Sequence, residues 1–282
     1  MEIDLHTHSS VSDGTEPPAQ VIAAAVRAGL DVVALTDHDT VGGWDEAAEA
    51  AGALGIGLVR GIEVSCRRDG RSIHLLAYLP SPDDADLEHE MALARESRLT
   101  RLDRIVDRLV ADDVPITMDQ VRAQVAEGAT LGRPHLADAM VAAGVVVDRD
   151  EAFRRYLHDG SPYYVSHYAP DPVRAVEIVV AAGGAAVIAH PYTDRQLRGV
   201  TPELIADLAA AGLLGIEVDH RDHDEAARRE LRGLADELGL VVTGSSDYHG
   251  AGKSNLIGEN RTDPQALEAI LAACWGTAYL PA

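Results

Sequence analysis

Apolar and polar positions along this chain follow two periods, one of strands and one of helices. Residues 2–8 predict a strand, with Ile3, Leu5 and Thr7 on one side and Asp4, His6 and His8 on the other. A helix is expected from about Thr15, where Pro17 and Pro18 suit a first turn. Strand 31–36, helix 44–54 and strands 56–65 and 73–79 follow, the last two joined through Arg68-Asp69-Gly70, a tight-turn sequence. From about residue 83 to 158 the period is helical throughout, broken at Pro82, Pro115 and the stretch 128–134. Strand–helix alternation then returns, with helices at 172–182, 202–211, 224–238 and 264–274 and strands at 185–189, 215–218 and 240–245. Such alternation predicts an α/β barrel or parallel sheet. The expected division is a barrel of residues 1–82 and 163–282, with 83–162 as an inserted helical subdomain covering the active site.

Composition narrows the function. A net charge of −22 over 282 residues repels a long polyanion, so duplex nucleic acid is an unsuitable partner. Carboxylates that ligate cations would neutralise part of that charge, and a locally positive pocket would still admit a small anion. Cys66 and Cys274 form no CxxC pair, which fits a reducing compartment. With no charged-then-apolar leader and no membrane-length apolar run, a cytoplasmic protein without membrane contact is expected. Lys253 is the only lysine in the chain, a few residues after Ser246-Asp-Tyr-His249.

The chemistry begins at Asp4-Leu-His-Thr-His8. Two imidazoles on one strand face, about 7 Å apart, can converge on one cation. The theme recurs at successive strand ends: Thr36-Asp37-His38-Asp39, Gly61-Ile-Glu63, His74, Ala189-His190-Pro191 and Ser246-Asp247-Tyr-His249. In α/β architectures these ends face a common site. Burying that many polar groups unpaired would cost a few kcal/mol each, and cations remove the problem. No GxSxG elbow, CxxxxxR loop or GxxxxGK[ST] signature is present, so covalent or phosphate-loop chemistry has no support.

These blocks, in this order across nearly the whole chain, resemble the PHP superfamily of phosphoesterases. The resemblance implies a distorted (β/α)7 barrel and three cation positions. One would use His6, His8, Glu63 and Asp247; a second Glu63 as a bridge with His74 and His190; a third Asp13, His38 and His249. Nitrogen and carboxylate ligands without thiolate suit manganese, zinc or iron(II), and the resemblance points to manganese. The expected chemistry is attack on phosphorus by a hydroxide bridging two cations, with Asp13, His38, Glu63 and His249 as catalytic residues. Activity should fall below neutral pH, because a ligating histidine must be unprotonated.

Within the superfamily, Gly132-Arg133-Pro-His135 resembles the branch that hydrolyses nucleoside 3′,5′-bisphosphates, some of whose members trim short RNA from the 5′ end. The resemblance makes Arg133 and His135 substrate-binding candidates, and arginine suits bidentate phosphate contact. Ser166, His167 and Lys253 are further candidates by position. The expected substrate is the 3′-phosphate of such a bisphosphate, or very short RNA. A cyclic diester or another small phosphate such as histidinol phosphate is the alternative, and a non-catalytic metal-binding module the reading of a different class. His220 and His223 sit either at the site edge or at the surface, His89 and His158 read as solvated, and Tyr192 is a candidate for stacking on a base. Arg95, Arg98, Arg101, Arg104 and Arg108 alternate with Glu96, Asp103 and Asp107, which predicts a salt-bridged helix face.

Overall fold

The computed structural model describes residues 1–125, 129–192 and 199–282. Its elements in chain order begin with β1 (Ile3–Asp4), α1 (Pro18–Arg27), β2 (Val32–Leu35), α2 (Trp44–Leu54), β3 (Gly57–Arg68) and β4 (Arg71–Tyr78). Four helical pieces come next: α3 (Ala85–Ala111), α4 (Met118–Arg122), α5 (Arg133–Ala142) and α6 (Arg149–Ala152), the last widening into a π turn over Phe153–Leu157. The chain closes with α7 (Pro172–Ala181), β5 (Ala185–Ile188), α8 (Pro202–Ala210), β6 (Gly215–Asp219), α9 (Glu225–Leu238), β7 (Val241–Gly244) and α10 (Pro264–Ala273).

Among the described residues the seven strands form one sheet in sequential order. Neighbours run parallel, as in Ile3↔Val32 and Gly215↔Val241, except at β4, which is antiparallel to both β3 and β5. The exception follows from the Asp69-Gly70 turn, which sends β4 straight back along β3. The first and last strands meet through a Thr7–Tyr248 bridge, and Thr262 N–H donates to Ile3 O at 3.0 Å. The result is a distorted, nearly closed barrel.

Helix boundaries follow local chemistry. Asp171, Thr201, Asp224 and Asp263 each accept a first-turn N–H, and proline opens α1, α7, α8 and α10. β1 is the departure from expectation, because it is two residues long and the strand alternation never reaches His6 and His8. Asp4 accounts for this: its carboxylate accepts the N–H groups of Ser246 at 3.0 Å, Gly258 at 2.8 Å and His6 at 3.4 Å. Asp4 thus ties the first strand to the last and does not join the histidines.

The core is layered. Ile22, Val33, Leu35, Ala47 and Leu58 join α1 and α2 to the sheet, while Val64, Leu75, Val176, Ile188, Leu208 and Leu231 join α7 to α9 to it. Leu267 and Ile270 of α10 pack with Ile3, Leu5, Leu76, Tyr78 and Val187. The helices between β4 and α7 have a separate apolar cluster, including Leu102, Ile105, Leu109, Leu136, Met140, Leu157 and Val165. Each such side chain contributes roughly 1.5–3 kcal/mol on burial. Helix α3 spans both clusters, since Leu87 and Met91 in its first turns pack on the barrel side. Of the expected break at 128–134, Gly128 lies outside the described residues. No helix among the described residues is long and apolar enough to cross a membrane.

Candidate metal centre

The site is built at the ends of the strands, where the backbone is bent to aim side chains inward. Asp39, His190 and Asp247 have φ values of 53°, 29° and 50°, in the left-handed region. Such conformations cost of order 1–3 kcal/mol each and persist where surrounding contacts enforce them. Here those contacts are visible: His190 N–H donates to Glu217 Oε2 at 2.8 Å, and Lys253 Nζ donates to Asp247 Oδ2 at 2.7 Å.

Glu63 is at the centre. Its Oε2 lies 3.0 Å from His8 Nε2, 3.2 Å from His6 Nε2 and 3.3 Å from His38 Nδ1. Its Oε1 lies 2.8 Å from His74 Nδ1 and 3.1 Å from His190 Nε2. Asp247 Oδ1 faces His6 and His8 at 3.6 and 3.5 Å. Asp13 faces His249 Nε2 at 3.2 Å and both His38 and His8 at 3.7 Å. These atoms form four overlapping groups, each with ligand atoms within 4.8 Å of one another: His8, Asp13, His38 and His249; His6, Glu63 and His190; His6, His8 and Asp247; His38, Glu63 and His74.

The hydrogen bonds around the groups decide what they fit. His6 Nδ1 pairs with Glu217 Oε1 at 3.0 Å, and His249 Nδ1 with the carbonyl of Asp247 at 2.8 Å. Each of those nitrogens is therefore the N–H of a neutral ring, and each Nε2 presents a lone pair inward. His6 Nε2 then faces His8 Nε2 at 3.0 Å, and His249 Nε2 faces a carboxylate oxygen. Lone pairs so placed repel unless a proton or a cation lies between them. Asp13 Oδ1, His38 Nδ1, His74 Nδ1 and His249 Nε2 are buried without hydrogen-bond partners. This donor set, with second-layer hydrogen bonds fixing its tautomers, fits divalent cations.

Electrostatics agree. Burial alone would raise the Glu63 carboxyl, but the imidazoles of His38, His74 and His6 outweigh it and hold the group well below its ordinary range. Burial pulls the His8 imidazole down, yet Asp247, Glu63 and Asp13 carry it up to about 9. Protons, in other words, compete for the places that cations would take. Further buried carboxylates hold the frame: Asp37 accepts from Ser9 and Ser12, Asp39 from Ser65 and Arg98, and Glu217 from His6, His190 and Ser245.

Beside the cluster opens a cavity of about 270 Å³ lined by Arg67, Arg98, Arg101, Arg133 and His167, which it shares with Asp13, His38, His74 and Lys253. The expected salt-bridged face of α3 is thereby corrected. Arg101 is only 6 % exposed and stacks on Tyr164 at 5.4 Å, and Arg98 bonds Asp39 at 3.1 Å. Helix α3 turns Arg98 and Arg101 inward, whereas Arg104 and Arg108 are exposed and Arg95 pairs with Glu88 at 2.7 Å as a salt-bridged face would. Burial, then Arg133 and Arg98, push the Arg101 guanidinium down to about 9. Burial and the surrounding arginines drive His167 to about 2, which marks a pocket hostile to further positive charge.

The other candidates divide. Arg133 lines this cavity and bonds Asp159 at 2.5 Å, while Lys253 reaches Asp247. His135 is buried, and its Nδ1 accepts the Gly132 N–H at 3.1 Å, so it caps α5 and lines a neighbouring cavity with Asp138 and Arg149. Ser166 is exposed and is not among the residues lining the arginine cavity. Tyr192, a candidate base platform, is fully buried in the core, its N–H donating to His223 Nε2 at 3.1 Å. His220 and His223 are buried, not at the surface, whereas His89 and His158 are exposed as expected. Reading the sequence missed Glu217, a buried acid between Ile216 and Val218 of β6, and the pocket arginines 67, 98 and 101.

A family model described as "PHP domain" matches residues 4–109. A 3′,5′-nucleoside bisphosphate phosphatase of Chromobacterium violaceum is 37% identical, the match covering 89% of this chain and 88% of that protein. A 5′-3′ exoribonuclease of Haemophilus influenzae is 34% identical over 87% and 89%, and a phosphoribosyl 1,2-cyclic phosphate 1,2-diphosphodiesterase of Eggerthella lenta 35% identical over 88% and 94%. Among solved structures, a Bifidobacterium adolescentis protein assigned by prediction as a metal-dependent phosphoesterase superposes with a TM-score of 0.92 at 41% identity, covering 97% of this chain and 96% of that one.

Proposed function

This chain belongs to the PHP family and is a metal-dependent phosphoester hydrolase, and from that premise we propose that it removes the 3′-phosphate from nucleoside 3′,5′-bisphosphates. The observation that carries this reading is the adjacency of two anion-receiving sites, the cation cluster and the arginine cavity, with Asp13, His38 and His74 common to both and Lys253 of the cavity wall bonded to the cluster's Asp247. A substrate with two phosphates one ribose apart has a use for both. The names of the Chromobacterium violaceum and Haemophilus influenzae relatives support the class, and very short 5′-phosphorylated RNA is the second substrate in it.

In this reading Arg67, Arg98, Arg101 and Arg133 receive the 5′-phosphate, fixing how far the nucleotide enters. Lys253 faces the phosphate being removed. His6, His8, Glu63 and Asp247 would hold one cation, Glu63 with His74 and His190 a second, and Asp13, His38 and His249 a third; manganese is the proposed metal. Bound there, the cations supply charge neutralisation at the phosphoryl oxygens and acidify the water that is consumed. Glu217 keeps His6 in the tautomer that ligates, and the Asp247 carbonyl does the same for His249. The acidic exterior favours a free nucleotide or very short oligomer over long RNA.

The test offers manganese-loaded protein four substrates: adenosine 3′,5′-bisphosphate, a 2′,3′-cyclic nucleotide, histidinol phosphate and a 5′-phosphorylated dinucleotide. Preference for the bisphosphate, lost in Arg133→Ala, is the expected result. Faster turnover of the cyclic diester would move the assignment toward the chemistry named for the Eggerthella lenta relative. Turnover of none, with cation content verified, would leave a metal-binding module.

A further inference from the structure

His220 and His223 lie three residues apart beyond β6, and the structure gives them opposite characters. His223 is spent: its Nδ1 pairs with the Val218 carbonyl at 2.8 Å and its Nε2 accepts the Tyr192 N–H at 3.1 Å. His220 is half spent. Its Nδ1 accepts the backbone N–H of Asp222 at 3.2 Å, while its Nε2 is buried and has no hydrogen-bond partner. A backbone N–H can only donate, so Nδ1 carries the lone pair and the neutral ring bears its proton on Nε2. In that tautomer Nε2 cannot ligate a cation; it presents a fixed N–H.

That N–H faces the cluster. His220 is 1 % exposed, its Nε2 stands 3.6 Å from Asp247 Oδ2, and its ring lies 5.3 Å from that of His190. A cavity of about 180 Å³ opens here, walled by five of the cluster's ligand residues together with Asp222, Lys253 and His220. Bound cations would take the lone pairs of the ligand residues, and carboxylates only accept. Among the residues lining this cavity, Lys253 and His220 are then the side chains outside the ligand set that can donate a hydrogen bond. Asp247 Oδ2 already takes the Lys253 ammonium at 2.7 Å, and at 3.6 Å the His220 N–H lies too far for a normal bond to it.

We propose that His220 is a substrate-contacting residue whose Nε2–H donates to a non-bridging oxygen of the phosphate held at the cluster, beside the Lys253 ammonium. The identity of the anion rests on the phosphoesterase reading above; the donor itself rests on the tautomer and the cavity. A buried donor with no partner is costly until an acceptor arrives, which gives the contact selectivity for a tetrahedral oxyanion.

The test uses manganese-loaded protein with inorganic phosphate as the probe, followed by calorimetry, and bound manganese measured in parallel. His220→Phe keeps the ring volume and removes the donor; His220→Gln retains an amide donor. If the Phe variant does not fold, His220→Asn, too short to reach the cavity, takes its place. Expected is phosphate binding weaker by about tenfold in the donorless variant and within about threefold of wild type in His220→Gln, with manganese content unchanged in both. Turnover should fall about 10²-fold in the donorless variant. Manganese loss in that variant would make His220 a ligand or a support for Asp247, and unchanged phosphate affinity would make the N–H idle; either overturns the proposal. If wild type hydrolyses none of the four substrates yet the phosphate contrast holds, the substrate assignment fails while the His220 contact stands.

Discussion

The cation cluster and the arginine cavity touch at Asp13, His38 and His74, yet they are made in different ways. The cluster comes from strand ends, with His6 fixed by a carboxylate and His249 by a backbone carbonyl, and most of the set buried. The cavity draws Arg98 and Arg101 from α3, Arg133 from α5 and Arg67 from β3, and these guanidiniums are held by stacking and by scattered acceptors. One site needs exogenous charge to be stable; the other carries its own. The difference teaches that the reaction and the choice of substrate are mounted on separate parts of the fold, so each should be breakable alone.

The largest effect should come from the cluster. Glu63→Gln removes the carboxylate that five imidazoles face, and turnover should drop by at least about 10³-fold for every substrate. Bound manganese should fall with it, measured by elemental analysis of the purified variant. Retained metal with normal turnover would remove Glu63 from the centre of the site. Arg101→Ala should act differently. Loss of a charged hydrogen-bond donor is worth about 1.5–3 kcal/mol, or roughly 10- to 150-fold. We expect that loss in kcat/KM for a 3′,5′-bisphosphate, none for a nucleoside 3′-monophosphate, and full metal content. Equal loss on both substrates would mean that the cavity does not read the 5′-phosphate.

The same contrast explains what the sequence disclosed. His6, His38, Glu63, His190 and Asp247 were legible because strand ends converge wherever a sheet closes, so residues at those ends meet regardless of the details. The order of strands and most helix boundaries were legible through prolines and capping residues. The arginines were not. A three-to-four spacing on α3 says that Arg98 and Arg101 share a face, but nothing local says whether that face meets solvent or a barrel assembled from distant strands. Tyr192 failed for a related reason, and the sequence leaves His220 open between site edge and surface: each follows or precedes a turn, and the direction of a side chain beyond a turn is set by packing. The strand alternation places Asp4 only on the face of His6 and His8, because its role, joining both ends of the barrel, involves the distant Ser246 and Gly258.

A titration should separate the two sites next. In the cation-free protein His8 is carried up to about 9, and His6 and His190 are also raised, so protons occupy ligand positions at neutral pH. A group with a raised pKa holds its proton below that value, so cation uptake must release protons there. Apparent manganese affinity should therefore fall as pH is lowered from 9, by about tenfold per unit for each proton displaced, as read by chelator competition. The Arg101 guanidinium, though pushed down to about 9, stays mostly charged between pH 6 and 8. Sulfate, a dianion throughout that range, should bind the arginine cavity with constant affinity. Parallel loss of both would merge the two sites into one titrating unit.

The smallest effect is the control on which the comparison depends. Arg104 sits on the same helix as Arg98 and Arg101, within the same three-to-four spacing, but it is exposed. If the helix worked as a general basic surface that attracts anions, Arg104→Ala would weaken bisphosphate turnover along with Arg101→Ala. If only the inward face matters, an exposed substitution stays within about 0.5 kcal/mol, which is roughly a factor of two in kcat/KM. Because an exposed charge acts through a screened field, its contribution should also vanish as ionic strength rises, whereas that of buried Arg101 should largely persist. Measuring both variants at low and high salt therefore distinguishes a pocket that grips the 5′-phosphate from a surface that merely gathers anions.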